Sequence, residues 1–144
     1  MKSARLAASL VVALVACVSP QTPVTFLTPT MPAKALDTVV RTLAAEGQSP
    51  ASVDRQANVV QTEWQNTGFG YGQVQGVNAT IVRRYTVTLA LWEAGTNVTV
   101  RMDAKRCPAG DLRATCEEAS GIPGSMQKDL DALGAKLRAA LAAR

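Results

Sequence analysis

The spacing of apolar and polar positions changes period along the chain. From Pro32 to Glu46, Leu36, Val39, Val40 and Leu43 recur at helical spacing and make one apolar stripe, while Asp37, Arg41 and Glu46 fall elsewhere. Pro32 suits the first helical position, where a missing N–H costs nothing, and Gly47 suits the stop. A period of two then takes over. Gln48–Val53 and Val59–Trp64 flank a turn at Asp54–Asn58, and Val60, Thr62 and Trp64 share one face of the second strand. Ala79–Trp92 alternates Ile81, Tyr85, Val87, Leu89 and Leu91 with Arg84, Thr86 and Thr88. Asn97–Cys107 alternates Val98, Val100, Met102 and Ala104 with Thr99, Arg101, Asp103 and Lys105. A four-residue loop, Glu93–Thr96, sets Leu91 opposite Val98, Leu89 opposite Val100 and Val87 opposite Met102. Arg83 breaks the pattern by falling on the apolar side, which places it near a strand end. Helical spacing returns at Met126, Leu130, Leu133, Leu137 and Leu141, with Ser125 as a cap.

Two helices with one stripe each and a sheet with one apolar face predict a two-layer α+β domain. Its antiparallel sheet has three or four strands, and the N-terminal and C-terminal helices pack on one face. The opposite face is left polar, with Arg84 near Lys105, Arg101 near Thr88, and Asp103 between the two basic residues of its strand. Asn66–Gly76, with four glycines around Phe69 and Tyr71, reads as a mobile loop whose aromatics sit beside that face as an apolar anchor. Val24–Leu27 reads either as part of a proline-rich tether or as a short edge strand.

The first sixteen residues carry Lys2 and Arg5 ahead of an uncharged apolar run, Leu6–Ala16. Eleven residues are too few to span a bilayer, which takes about 20, but fit the apolar region of a signal peptide. The run ends Leu14-Val15-Ala16-Cys17, which resembles the lipobox of bacterial lipoproteins. The resemblance implies cleavage before Cys17, acylation of that cysteine, and attachment to a membrane. The absence of aspartate after Cys17 implies, by the same resemblance, the outer membrane facing the periplasm. The expected organisation is a signal peptide over 1–16, an acylated cysteine and Pro/Thr-rich tether over 17–32, and one domain over 33–144. Fifteen basic and eleven acidic residues give the whole chain +4; losing Lys2 and Arg5 lowers this to +2. No electrostatic footprint for nucleic acid remains.

Candidate chemistry is sparse. The chain has no histidine, which removes histidine bases and the usual triads. No nucleophile-elbow or phosphate-loop motif is present. Glu63 and Asp103 lie on outward strand positions, and Asp54 reads as a turn former. No enzyme, cofactor or metal is expected. Cys107 and Cys116 form an even pair in an exported chain and read as a structural disulfide. Trp64 and Trp92 read as core rim. The residues expected to meet a partner are Phe69, Tyr71, Arg84, Arg101 and Lys105.

The order of elements, with Asp54-Arg-Gln-Ala-Asn58-Val-Val-Gln-Thr62, resembles the helix-grip-like module of small envelope lipoproteins. The C-type lipoproteins of the outer-membrane β-barrel assembly machine are the family that carries it. The expected function is that of a lipid-anchored, non-catalytic envelope protein that binds another envelope protein or an anionic lipid. The alternative is a small-ligand or lipid carrier with a cleft between helices and sheet.

Overall fold

The computed structural model describes residues 18–143 of the 144-residue chain. In chain order the elements are β1 (Val18–Ser19), β2 (Val24–Thr28), α1 (Pro32–Ala45), β3 (Pro50–Asp54), β4 (Val59–Thr62) and β5 (Gln65–Val74). They continue as β6 (Val77–Trp92), β7 (Gly95–Pro108), β8 (Glu117–Glu118), β9 (Ile122–Pro123) and α2 (Gly124–Ala142). β6 and β7 form a long antiparallel hairpin running from Ala79↔Pro108 to Trp92↔Gly95. Every other strand of the main sheet attaches to it directly or through one neighbour. The order is β2-β7-β6-β4-β3, with β5 also on β6 and β8 also on β7. β1 and β9 form a separate two-stranded piece.

The sheet therefore has seven strands, not three or four. Three segments account for the difference, and each hides its strand for a physical reason. β2 lies among prolines, which cannot donate to a ladder and read as linker. β5 carries glycines where a strand normally carries side chains, and β8 has two residues. Gln65–Val74 is thus a bulged strand rather than a loop: its pairing with β6 slips between Asn66 and Gly70 and again between Gly70 and Gln73. Gly68 and Gly72, at φ 70° and 68°, supply left-handed backbone at those slips. Gln75 and Gly76, both at positive φ, close the tight turn into β6.

The β6–β7 turn has two residues, Glu93 and Ala94, instead of four. Leu89 consequently faces Val98, Val87 faces Val100 and Tyr85 faces Met102. The shift is even, so the faces survive. Its cost falls at the tip, where Leu91 meets Thr96 and is 64% exposed.

α1 and α2 lie against each other and against one sheet face. Leu36, Val39, Leu43, Leu130 and Leu137 pack with Val60, Ile81, Val87, Val98, Val100 and Met102 in one buried cluster. The N-terminal segment belongs to this body and is not a free tether. β2 pairs along β7 from Val24↔Val100 to Thr28↔Thr96. The Gln21 side-chain amide bonds both the N–H and the carbonyl of Met102. The Gln127 amide of α2 does the same to Thr22, at 2.9 Å in each direction. Two side-chain amides thus replace ladder bonds in a stretch where Pro20 and Pro23 have no N–H.

Gly95 lets β2 end close to the hairpin: a Cβ there would run into the Thr28 carbonyl and lie 3.1 Å from Pro29 Cα. The obstacle is backbone and cannot swing away. Gly95→Ala should destabilise the fold by about 1–3 kcal/mol, as overpacked sites do. A lowered denaturation midpoint at unchanged slope is the expected reading.

Candidate functional site

The helix-free face of the sheet is where the outward positions of β6 and β7 meet. Arg84 stands opposite Asp103, Thr86 opposite Arg101, and Val82 opposite Lys105. Asp103 is the centre of this group. Its Oδ2 accepts from Arg84 Nε and from the Thr86 hydroxyl, both at 3.0 Å, and its Oδ1 lies 3.4 Å from Arg101 Nε. Lys105 Nζ lies 3.7 Å from Glu118 on β8. Asp103 thereby does what its place in the pattern suggested, separating two cations of its own strand and drawing in a third from β6.

Trp64 is the residue that sequence reasoning misplaced. Gln61 pairs with Thr86 and Gln65 with Arg83, so one strand spends one more residue than the other. The extra residue makes a bulge at Glu63–Trp64 and turns the indole onto the helix-free face. There Arg84 sits 4.7 Å and Lys105 5.1 Å from the indole ring. Each such contact is worth about 0.5–1 kcal/mol when exposed. No residue type at Thr62–Gln65 announces the bulge, because alternation simply stops being informative there. Gln21 and Glu118 were also missed, since each is placed by a segment that reads as linker or loop.

These side chains line a cavity of about 490 Å³. Trp64, Glu118–Ile122, Pro20 and Gln21 complete its lining. The face is not open over its whole length. The turn at Ala109–Gly110 returns over β5, with Gly110 against the Asn66 side chain, and Val82 is fully buried. Cys107 and Cys116 are disulfide-bonded, with Cα atoms 4.4 Å apart, and this closes the loop between β7 and β8.

Of the expected site residues, Arg84, Arg101 and Lys105 come together around Asp103. Phe69 and Tyr71 do not join them. Both are partly buried against the helix-side core, and Tyr71 carries Arg106 at 5.8 Å from its ring. The reason is again β5: as a paired strand it points alternate side chains inward, whereas a free loop would have left them to a partner. Trp92, at 53% exposure, stands at the hairpin tip and away from the cluster. Cys17 lies outside the described residues.

A second polar group occupies the seam between helices and sheet. Arg83 lies mid-strand in β6, not at an end, and its Nη1 bonds Asp129 of α2 at 2.6 Å. Its guanidinium lies 5.5 Å from the Tyr85 ring. Burial pushes the Tyr85 hydroxyl above its ordinary value of 10.0; Arg83 opposes this and Asp129 adds to it. The notch there measures about 220 Å³ and is also lined by Glu46, Gln48 and Lys136. Among the described residues there is no cluster of histidine, cysteine and carboxylate suited to a metal, and no helix is long and apolar enough to cross a membrane.

No family model matches the chain, and no curated protein matches it. Among solved structures it is similar to a DUF4468 family protein from Bacteroides ovatus, at 11% sequence identity and a TM-score of 0.42, over 85% of this chain and 86% of that one. The chemistry of the cavity is read from its own side chains.

Two outcomes follow from these surroundings. A disulfide closing a ten-residue loop is worth about 2.5–3 kcal/mol in the chain-entropy model. Cys116→Ser should lower stability by about that amount, and non-reducing mass spectrometry of the protein should find Cys107 and Cys116 without free thiols. Tyr85 has its proton held more tightly when folded, so its contribution is complete below pH 10.0 and is lost as pH rises through its folded pKa. The denaturation midpoint should fall above that pH, and Tyr85→Phe should remove part of the fall.

Proposed function

We propose that this chain is a lipid-anchored, non-catalytic cell-envelope protein that holds an anionic partner on the helix-free face of its sheet. The observation that carries this is the cluster of Arg84, Arg101 and Lys105, fixed by Asp103 and Trp64 around a cavity. The more exposed pairs, Arg101–Asp103 and Lys105–Glu118, contribute at most about 1 kcal/mol each, so stability alone is a poor reason to concentrate five charged groups here. Charges fixed in position favour partner choice and the rate of encounter. The signal-like start and Leu14-Val15-Ala16-Cys17 support the anchor. A carrier cleft between helices and sheet has less behind it. That space is filled by Leu36, Val39, Leu43, Leu130 and Leu137, each at most 1% exposed, and the seam notch is small and charged.

The test uses two variants of the full chain in cells. Cys17→Ser should move the protein from the membrane to the soluble fraction; continued membrane fractionation after normal processing would remove the anchor. Arg101→Glu with Lys105→Glu should abolish in-cell cross-links to the partner while leaving export and folding intact. Arg84 is kept because it packs on Trp64. An unchanged cross-linking pattern would remove this face as the working surface.

A further inference from the structure

Asp103 engages Arg84 and Arg101 through their Nε atoms, at 3.0 and 3.4 Å. A guanidinium has five N–H donors, so each arginine has donors beyond its Nε to offer a ligand. Both side chains line the cavity. The indole beside Arg84 and Lys105 restrains these cations from a second side. The result is two guanidinium forks and one ammonium held at neighbouring register positions before a ligand arrives. A carboxylate has two oxygens and satisfies one fork. Three cationic groups arranged around one space match a tetrahedral oxyanion, whose oxygens diverge, and paired forks are the usual geometry for phosphate.

The source of that phosphate follows from the N-terminal segment. Pro20 and Gln21 line the same cavity, and Gln21 is bound to Met102. Two residues, Val18 and Ser19, separate Cys17 from Pro20, a Cα-to-Cα reach of at most about 10 Å. An acyl group on Cys17 therefore holds the cavity rim close to the bilayer surface, where a Pro-rich tether of fifteen residues would have let it drift. Taken with the anchored role proposed above, on which it rests, the geometry points to a phosphate-bearing lipid headgroup as the ligand of this cavity. The headgroup oxyanion sits between the terminal amino groups of Arg84 and Arg101 and the ammonium of Lys105, above the edge of Trp64. Glu118, a weak partner of Lys105 at 3.7 Å, yields that ammonium to the ligand.

Trp64 reports occupancy. The other tryptophan, Trp92, stands at the far hairpin tip, so Trp92→Phe isolates the signal. The acylated protein with this substitution is placed in vesicles of phosphatidylcholine alone or with added phosphatidate, and separately titrated with inorganic phosphate in detergent. Chloride at matched ionic strength is the control. Phosphatidate should shift Trp64 emission saturably, and free phosphate should compete. Arg101→Gln should weaken the response about tenfold or more, the loss of a charge-assisted hydrogen bond, at an unchanged denaturation midpoint. A response to free phosphate with none to phosphatidate overturns the headgroup assignment. No response to either overturns the oxyanion site itself. Loss of cross-links in Arg101→Glu with Lys105→Glu, without any phosphate response, leaves the docking face standing and removes only this ligand. A phosphate response with unchanged cross-links does the reverse.

Discussion

The β6–β7 ladder is the constraint on which the rest depends. It is the longest pairing in the sheet, and its two edges receive β2 and β8 on β7 and β4 and β5 on β6, with β3 added through β4. Its alternation assigns the faces for all of them. Tyr85, Val87, Leu89, Val98, Val100 and Met102 turn one way, and the helices must cover them. Arg84, Thr86, Arg101, Asp103 and Lys105 turn the other way and need water, a partner or one another. A single-residue slip would exchange these two sets and bury the charges at prohibitive cost.

That arithmetic explains what was legible. The two helices and the long hairpin follow from periods of 3.6 and 2 sustained over many residues, so an even error in turn length still left Arg84, Arg101 and Lys105 on one face. Where the error did matter, at Leu91, no buried neighbour was available to correct it. The segments that were not legible lack a period. Val24–Thr28 is a strand because β7 offers an edge to it, not because of its composition. Gln65–Val74 is a strand in spite of Gly68, Gly70 and Gly72, which pay for the bulges that let it follow β6. Trp64 turns on one extra residue, and a bulge of one residue is set by the pairing on both sides of it. Phe69 and Tyr71 changed sides for the same reason: a loop frees its aromatics, a strand commits them.

The two faces treat arginine differently, and the contrast separates structure from site. Arg83 is on the helix side and is largely enclosed, with Asp129 as its partner and Tyr85 beneath it. An arginine enclosed there has to be paired, because an unpaired buried charge costs several kcal/mol. Arg84, the next residue, needs no such help. It points to the exposed face, yet it is bonded to Asp103 and stacked near Trp64. Restraining a half-buried arginine at a polar face sacrifices side-chain entropy and returns modest stability. The same restraint lowers the entropy lost when a ligand is gripped, which is the ordinary advantage of preorganisation.

The N-terminal segment connects that site to the rest of the molecule. Proline-rich stretches next to an anchor usually act as semi-rigid spacers. Here Gln21 and Gln127 lend their amides to the chain where Pro20 and Pro23 cannot bond, and Val24 follows directly into the sheet beside Gly134 of α2. A Cβ on Gly134 would lie 2.9 Å from Val24 Cβ, so the helix has been brought close to hold the strand. These features spend specific interactions to fasten a segment that a spacer would leave loose. With Val18 paired to Pro123, an anchor on Cys17 would join the domain without a free spacer. A protein anchored through such a link has little freedom to present different faces to the membrane. The orientation of a protein anchored in this way would be set by where the segment joins the fold, at the edge of β7 beside Arg101, Asp103 and Lys105.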